Sequence, residues 1–346
     1  MRKVLCAILV VAIIAGFFFF GGEIYTEDGY PKIRFNLSWS HVGNMIGEAF
    51  GDLLNGIANG FMDSDFNADN DSTAPALNIP EIPEGSEFQI HYIDVGQADS
   101  ILVACDEDYM LIDGGNDADG ALVVSYLRNC GVDELDVVIG THAHEDHIGG
   151  LDHVLNAFTA REVWYPEYRH GTVNEKMFLE AAQRQEISVC QPAPGTTYIL
   201  GSAICQVLGP ISLDPDEPNN HSIVIRIVYG ETAFLFTGDA ELEEETEILN
   251  AGYDISCDVL KVGHHGAYTS TNYRWLRESA PACAVISVGI GNEYGHPTEG
   301  TLSRLQDAET TVYRTDLQGH IVCISDGINI SFRVEKNADA DTLTVS

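Results

Sequence analysis

The sequence predicts an α/β fold in which two sheets pack face to face and helices cover their outer sides. From Phe88 to residue 334, short runs rich in β-branched and aromatic residues alternate with segments whose apolar residues recur at helical spacing. A histidine-rich loop, residues 141–150, joins one such strand to one such helix. The chain has 346 residues, 45% of them hydrophobic, which is enough material for one large domain or two small ones.

The first 22 residues read as a membrane anchor. Arg2 and Lys3 precede an uncharged, almost wholly apolar run from Val4 to Gly22, and a bilayer span needs roughly 17 to 25 residues. A cleaved signal peptide is the alternative, but Phe17–Phe20 put large side chains where a cleavage site needs small ones. Because basic residues precede the run and acidic residues follow from Glu23, we expect a cell-membrane protein whose remaining chain is extracytoplasmic, or secreted if the run is cleaved.

Residues 23–62 form a juxtamembrane segment that contains a predicted amphipathic helix. Apolar residues between Val42 and Phe61 follow the spacing i, i+3, i+4. Five glycines in the same stretch each cost about 0.5 to 1 kcal/mol in a helix interior, so the helix needs a partner surface. That surface is the following domain, a second copy of the chain through residues 42–62, or the membrane face, which is the least favoured because the helix lacks basic residues. Residues 63–85 are acidic and contain three prolines, which indicates an extended linker.

The remainder is one predicted domain, residues 86–335, followed by a polar tail, residues 336–346. Strands are predicted near residues 88–94, 100–104, 109–112, 136–140, 162–165, 187–190, 203–208, 222–229, 232–237, 257–262, 283–288, 311–314, 319–324 and 328–334. Helices are predicted near residues 118–130, 148–157, 174–185, 241–250, 272–279 and 299–308.

Four potential metal donors lie within six residues of the loop: His142, His144, Asp146 and His147. His142 and His144 can turn toward one point, while Asp146 and His147, at the helix start, can face a second point nearby. This arrangement predicts two adjacent divalent metal ions. Imidazole nitrogen and carboxylate oxygen suit zinc, and manganese or iron accept the same ligand types. A solvated polar loop is the alternative, and three histidines beside an aspartate speak against it.

The pattern His-x-His-x-Asp-His at residues 142–147 resembles the signature of the metallo-β-lactamase-fold hydrolases. Further motifs sharpen the resemblance to the branch that contains the soluble hydrolase domain of the ComEC/Rec2 competence proteins. These motifs are Ile93-Asp94-Val95-Gly96-Gln97-Ala98-Asp99-Ser100, Leu111-Ile112-Asp113-Gly114-Gly115, Phe236-Thr237-Gly238-Asp239, Leu260-Lys261-Val262-Gly263-His264-His265-Gly266 and Tyr294-Gly295-His296-Pro297. The resemblance implies an αββα sandwich, preceded here by the N-terminal span, the juxtamembrane helix and the linker.

The resemblance also implies the remaining site residues. Asp239 matches the residue that bridges both metals, and one of His264 and His265 should complete the second metal while the other contacts substrate or hydrogen-bonds a ligand. His221 lies where many members place a metal-binding histidine, although the ComEC-like branch often carries other residues there and a surface histidine is the alternative. His296 lies on a loop that reaches the active site in this family, where it could hold a phosphate or protonate a leaving group.

Outside the metal loop, three strand-end carboxylates, Asp94, Asp99 and Asp113, are expected to orient metal-binding imidazoles. Histidines without a clustered partner in the sequence are interpreted as structural: His41, His91, His153, His170 and His320. The eight cysteines are scattered without metal-type spacing and are interpreted as small buried residues.

The charge of the chain limits its partners. The sequence contains 17 Lys and Arg residues and 53 Asp and Glu residues, which gives a formal net charge of −36. A protein that binds the nucleic-acid backbone normally neutralises phosphates with basic side chains, so no extended basic groove is expected. Metal ions would have to supply the positive charge at the site.

The implied function is hydrolysis at a dinuclear, zinc-type site by a metal-bound hydroxide, with Asp146 and Asp239 binding metal and orienting the hydroxide. Phosphodiesters, in nucleic acid or in phosphate-linked surface groups, are the favoured substrates because the ComEC-like branch is rich in enzymes that act on them. An acyl or β-lactam-type hydrolase is one alternative. A non-catalytic surface module that only binds is the other.

Overall fold

The computed structural model describes residues 22–27, 30–35, 77–213 and 216–344. The chain divides into two compact units, Met1–Pro75 and Ala76–Ser346. In the first unit, strands β1 (Gly22–Glu27) and β2 (Tyr30–Phe35) form an antiparallel pair that the sequence analysis did not predict. Residues 1–21 of the expected anchor, the amphipathic helix at residues 42–62 and most of the linker lie outside the described residues. Among the helices that are described, none has the length and apolar character of a membrane span.

The second unit contains fifteen strands and eight α-helices within its described residues. The strands are β3 (Phe88–Tyr92), β4 (Ile101–Cys105), β5 (Asp108–Ile112), β6 (Glu134–Ile139), β7 (Thr159–Trp164), β8 (Val189–Cys190), β9 (Thr197–Leu200), β10 (Ala203–Gly209), β11 (Val224–Tyr229), β12 (Thr232–Phe236), β13 (Val259–Lys261), β14 (Cys283–Ile286), β15 (Thr311–Arg314), β16 (Ile321–Ser325) and β17 (Ile330–Val334). The helices are α1 (Gly120–Asn129), α2 (Glu145–Ile148), α3 (Leu151–Ala157), α4 (Val173–Arg184), α5 (Leu242–Ala251), α6 (Tyr273–Ser279), α7 (Glu299–Asp307) and α8 (Thr315–Gln318).

These strands form two mixed sheets. One has the order β17-β16-β3-β4-β5-β6-β7-β8, and the other has the order β15-β14-β13-β12-β11-β10-β9. Each sheet is antiparallel on one side and parallel on the other: β5 to β8 run parallel in the first sheet, and β12 to β15 run parallel in the second. The prediction of an α/β fold with two sheets and covering helices is therefore confirmed.

Three apolar clusters hold the layers together. The central cluster contains residues from both sheets, such as Phe88 and Val103 from one and Ile225 and Phe234 from the other. A second cluster packs α1, α3 and α4 on the first sheet, and a third packs α5, α6 and α7 on the second. The order of layers is thus helix, sheet, sheet, helix. Burying both faces of each sheet explains why the parallel strands are almost continuously apolar.

Some local details differ from the sequence prediction, among them the short helix α8, which was not predicted. The helix predicted for residues 148–157 begins at Leu151 as α3, and a separate short helix, α2, precedes it. Gly149 and Gly150 lie between the two helices. A Cβ at Gly149 would lie 2.3 Å from the backbone nitrogen of Asp117, so this close approach of two segments requires glycine. Strand β9 was not predicted; it has only four residues at the edge of its sheet, and two of them are exposed.

Candidate metal centre

The predicted donor residues follow the parallel strands of both sheets. Asp113 comes directly after β5, the loop of residues 140–144 follows β6, Asp239 follows β12, and His264 and His265 follow β13. Because the carboxyl ends of parallel strands meet at the same edge of a sheet, each sheet gathers its donors at one edge. The face-to-face packing of the two sheets then brings both sets together.

The side chain of Asp239 lies at the middle of this group. Its Oδ2 atom is 3.2 Å from Nε2 of His147, 3.7 Å from Nε2 of His265, 3.8 Å from Nε2 of His264 and 3.9 Å from Nε2 of His142. The residue is 1% exposed. One buried carboxylate is therefore approached by imidazoles from two different loops.

The donors fall into two groups that share Asp239. Asp146, His147, Asp239 and His265 place their ligand atoms within 4.8 Å of one another. On the other side, Nε2 of His142 is 3.1 Å from Nδ1 of His144 as well as 3.9 Å from Asp239. This arrangement could hold two cations with the Asp239 carboxylate between them.

The far ring nitrogens of the buried imidazoles are fixed by hydrogen bonds. Nδ1 of His147 lies 2.7 Å from Oδ2 of Asp113, and Nδ1 of His265 donates to the backbone carbonyl of Ser287 at 2.9 Å. Asp113 also accepts hydrogen bonds from the backbone nitrogen and hydroxyl of Thr141, each at 2.8 Å. Such outer contacts set the tautomer and leave Nε2 directed at the centre.

Lys261 is a buried cation beside the centre that the sequence analysis did not single out. Its Nζ lies 2.7 Å from Oδ2 of Asp99, and Oδ1 of Asp99 lies 3.5 Å from Nδ1 of His265. Lys261 and Asp99 are each 1% exposed. Asp99 thus faces an imidazole of the centre, as expected, whereas Asp94 accepts from the backbone nitrogen of Gly96 and lies 3.8 Å from Lys336.

The electrostatic field of the carboxylates favours positive charge at the centre. Burial would lower the pKa of His147, but Asp239, Asp113 and Asp146 outweigh it and raise that pKa well above its ordinary value. Burial would raise the pKa of Asp239, but His147 and His265 hold it well below its ordinary value. Burial, assisted by His147, lowers the pKa of His142 well below its ordinary value, so this imidazole is neutral at pH 7 and free to bind a metal.

The donor set fits divalent cations. Nε2 of His147 and Oδ1 of Asp239 are buried atoms with no hydrogen-bond partner among the described residues. Buried polar atoms are normally satisfied, and a bound cation would satisfy this pair. Nitrogen and carboxylate donors at these separations suit zinc, manganese or iron.

The structure places His264 and His265 in different surroundings. His265 is 2% exposed, and its Nε2 lies 3.2 Å from Oδ2 of Asp146, which places it in the four-residue group. The His264 side chain is 24% exposed and its Nδ1 lies 2.9 Å from Oε1 of Glu241. Both residues have left-handed backbone conformations, with φ of 49° and 52°, which a non-glycine residue adopts only at a cost.

His221 lies in a cluster that sequence reasoning missed. Its Nδ1 is 3.1 Å from Nε2 of His170, and the ring of Tyr168 packs against both imidazoles. Next in sequence, the Ser222 hydroxyl accepts a hydrogen bond from the backbone nitrogen of Asp239 at 3.0 Å. His170, interpreted as structural from the sequence, therefore contacts a candidate ligand across 51 residues of chain.

A pocket of about 300 Å³ opens onto the centre. Its lining residues are Gln97, His144, Glu145, Asp146, Asp239, His264, His265, Tyr294 and His296. None of these lining residues is Lys or Arg. His296 lies beside His264, with ring centroids 5.5 Å apart, and burial together with His264 lowers its pKa to about 4. His296 is therefore neutral at pH 7.

Comparison with known proteins places this geometry in a family. The profile of the metallo-beta-lactamase superfamily matches residues 93–289. ComE operon protein 3 of Bacillus subtilis is 31% identical over 254 residues, which cover 68% of this chain and 33% of that protein. Recombination protein 2 of Haemophilus influenzae is 29% identical over 239 residues, which cover 68% of this chain and 28% of that protein. The chain thus spans about a third of the length of these relatives.

A solved structure with a similar fold is the metallo-beta-lactamase fold protein YhfI from Bacillus subtilis. It is 12% identical, covers 71% of this chain and 99% of its own, and has a TM-score of 0.44.

The shared position of Asp239 leads to a prediction about metal content. If its carboxylate serves both donor groups, the full-length protein should carry close to two divalent ions per chain at the centre, and Asp239→Ala should lower the occupancy of both. Elemental analysis of the purified protein measures this. Asp133→Ala, which changes an exposed aspartate outside the site, is the control. Full metal retention by Asp239→Ala would contradict the shared role.

The pairing of Lys261 with Asp99 leads to a prediction about stability. Lys261→Met leaves a buried carboxylate without its partner, which should lower the free energy of unfolding by about 3 to 5 kcal/mol. Urea unfolding of the chelator-treated full-length protein measures this change. Lys176→Met, at an exposed lysine of α4, should shift it by less than about 0.5 kcal/mol. The double variant Lys261→Met/Asp99→Asn should lose less than Lys261→Met alone; an equal loss would show that the ion pair is not the cause.

Proposed function

This chain belongs to the metallo-β-lactamase superfamily, and from that membership we propose that it is a metal-dependent hydrolase of phosphodiesters. The observation that carries the proposal is the shared Asp239 carboxylate, with two groups of nitrogen and oxygen donors on either side of it. His142, His144 and Asp239 would hold one divalent ion, with His221 as a possible further ligand. Asp146, His147, Asp239 and His265 would hold the other.

Two divalent ions bound here would supply Lewis acidity and lower the pKa of a bound water from 15.7 toward roughly 7. The remaining roles in the proposed reaction belong to side chains of the protein. Asp146 and Asp239 fix the donor geometry and accept hydrogen bonds from the attacking water. His264 and His296 also line the pocket, in which we place the substrate. Because the pKa of His296 is about 4, its role at pH 7 is to donate a hydrogen bond to a substrate oxygen as a neutral imidazole.

The pocket lining favours phosphodiesters over β-lactams. A phosphodiester carries its negative charge on the reacting phosphate itself, at the position of the proposed cations. A β-lactam also carries a carboxylate away from the reacting carbonyl, and this second charge is bound most strongly by a basic side chain. The residues that line the pocket include no Lys or Arg, so the second charge has no counterpart there.

The rim of the pocket favours a nucleotide as the group next to the phosphate. Tyr294 is 65% exposed, and its ring stacks on His296 with centroids 5.8 Å apart and planes 26° from parallel. Asn292 fixes this loop through hydrogen bonds with the backbone of Gly289, Tyr294 and His296. A rigid, exposed aromatic ring is suited to stack on a nucleobase, whereas a polyol phosphate offers it no flat surface.

The net charge of −36 disfavours a duplex that is held along its backbone. A short or single-stranded substrate, held by metal ions and by base stacking, fits this charge better. The membrane anchor, the extracytoplasmic location and self-association through residues 42–62 remain predictions from the sequence. They concern residues outside those that the structure describes.

The activity itself can be tested directly. The full-length protein loaded with zinc or manganese should hydrolyse bis(p-nitrophenyl) phosphate, lose this activity on chelation, regain it on metal addition, and leave a chromogenic cephalosporin intact. Asp146→Asn should reduce the phosphodiesterase rate at least 100-fold, because it weakens one donor group. Hydrolysis of the cephalosporin without the phosphodiester would favour the acyl-hydrolase alternative, and no hydrolysis of either by metal-loaded protein would favour a binding module.

The role of Tyr294 gives a prediction about substrate preference. Tyr294→Ala should raise KM for thymidine 5′-(p-nitrophenyl phosphate) about 5-fold or more, since stacking contributes ~1–3 kcal/mol per base. It should leave KM for methyl p-nitrophenyl phosphate, which has the same leaving group, nearly unchanged. Tyr294→Phe should behave like the wild type. Tyr273→Ala, at a tyrosine that is 58% exposed on α6, is the matched control. Equal effects on the two substrates would rule out a stacking role.

A further inference from the structure

A second group of donor side chains lies where the 3₁₀ turn Asp117–Asp119 meets helix α3. It consists of Asp117, Asp152 and His153, whose ligand atoms all lie within 4.8 Å of one another. Nε2 of His153 is 3.2 Å from Oδ1 of Asp117 and 3.8 Å from Oδ1 of Asp152. None of the three belongs to the metal centre described above. The sequence analysis interpreted His153 as structural because its partner Asp117 lies 36 residues away.

The burial of Asp152 is not explained by an ordinary surface ion pair. The residue is 7% exposed, and its Oδ1 has no hydrogen-bond partner among the described residues. A buried carboxylate oxygen that accepts no hydrogen bond is costly, and the imidazole of His153, 3.8 Å away, is its one ion-pair neighbour among the described residues. The side chains of Asp117 and His153 are 51% and 43% exposed, so an ion with its waters could reach the group from solvent.

The backbone around the group is already fixed in position. The side chain of Asp119 accepts hydrogen bonds from the backbone and side-chain nitrogens of Asn116, which closes the turn that carries Asp117. The ring of His153 lies against Gly120, where a Cβ would come within 2.5 Å of its Cγ. Little ordering of the chain would therefore be needed when an ion binds.

We propose that Asp117, Asp152 and His153 form an additional zinc-type metal site, with one nitrogen and two oxygen donors and water in the remaining positions. Metal–ligand distances of about 2.0 to 2.1 Å put neighbouring donors of a tetrahedral ion about 3.3 Å apart. The two donor separations of 3.2 and 3.8 Å bracket that value. Calcium is disfavoured because an imidazole is among the donors.

The ion would join two segments that both lead away from the metal centre. The turn Asp117–Asp119 follows the Asp113 loop, and α3 follows the histidine loop. A ligand that binds only the folded protein stabilises it by mass action, so this site would stabilise the junction without taking part in chemistry. The inference does not depend on the proposed phosphodiesterase activity.

The test compares zinc binding by the full-length wild-type protein with that of Asp152→Asn and His153→Gln. After equilibration with zinc and gel filtration, elemental analysis should find one zinc ion fewer per chain in each variant. The same difference should persist when each change is made in Asp239→Ala. Zinc should raise the melting temperature more in the wild type than in either variant.

Measurements in chelator separate metal binding from folding. Asp152→Asn should melt close to the wild-type temperature there, because its Oδ1 accepts no hydrogen bond and loses only a 3.8 Å contact with the half-exposed imidazole of His153. Glu134→Gln, which alters a surface ion pair with Arg161, controls for the removal of a carboxylate and should keep the wild-type zinc content. Equal zinc content in the wild type and both variants would overturn the proposal and leave a surface ion pair only. A difference that disappears in Asp239→Ala would also overturn it, since the lost ion would then belong to the main centre.

Discussion

The buried carboxylate of Asp239 is the constraint on which the site depends. Four imidazole nitrogens lie within 3.2 to 3.9 Å of its Oδ2, and they come from the loops after β6 and β13. Asp239 follows β12, so strands from both sheets must keep their register for these atoms to meet. The layered core supplies that register, since a one-residue slip in any strand would turn its side chains to the opposite face. The fold thus holds loops from both sheets against one carboxylate.

The charge balance around Asp239 explains the outer contacts. Asp99, Asp113 and Asp146 add further negative charge, and among the residues that contact them Lys261 is a fixed cation. Protons on His147 and His265 partly offset the carboxylates, as the raised pKa values of both imidazoles indicate. Divalent cations would displace those protons and balance the charge more fully. Bound cations would therefore supply local positive charge at the pocket of a chain whose net charge is −36.

The sequence predicted most of the fold because its strands and helices have strong local periodicity. It also located His142, His144, Asp146 and His147, since these donors are close in the chain. Long-range pairs were missed: His170 with His221 is separated by 51 residues, and Lys261 with Asp99 by more. Neighbours such as His264 and His265 have identical chemistry, and only the left-handed turn decides which one faces Asp146. The hairpin of β1 and β2 was missed because the apolar run before it dominated the interpretation of that region.

The left-handed backbone of His264 and His265 sets the stability of the fold against the geometry of the site. Each such non-glycine residue costs of order 1 to 3 kcal/mol, which the rest of the fold must offset. Glycine at either position would relax the turn, but it would remove an imidazole. The Gly263–Gly266 turn thus lowers the stability of the fold in exchange for the position of two imidazoles. A chain with glycine at both positions would have a less strained turn and no imidazole there to approach Asp239.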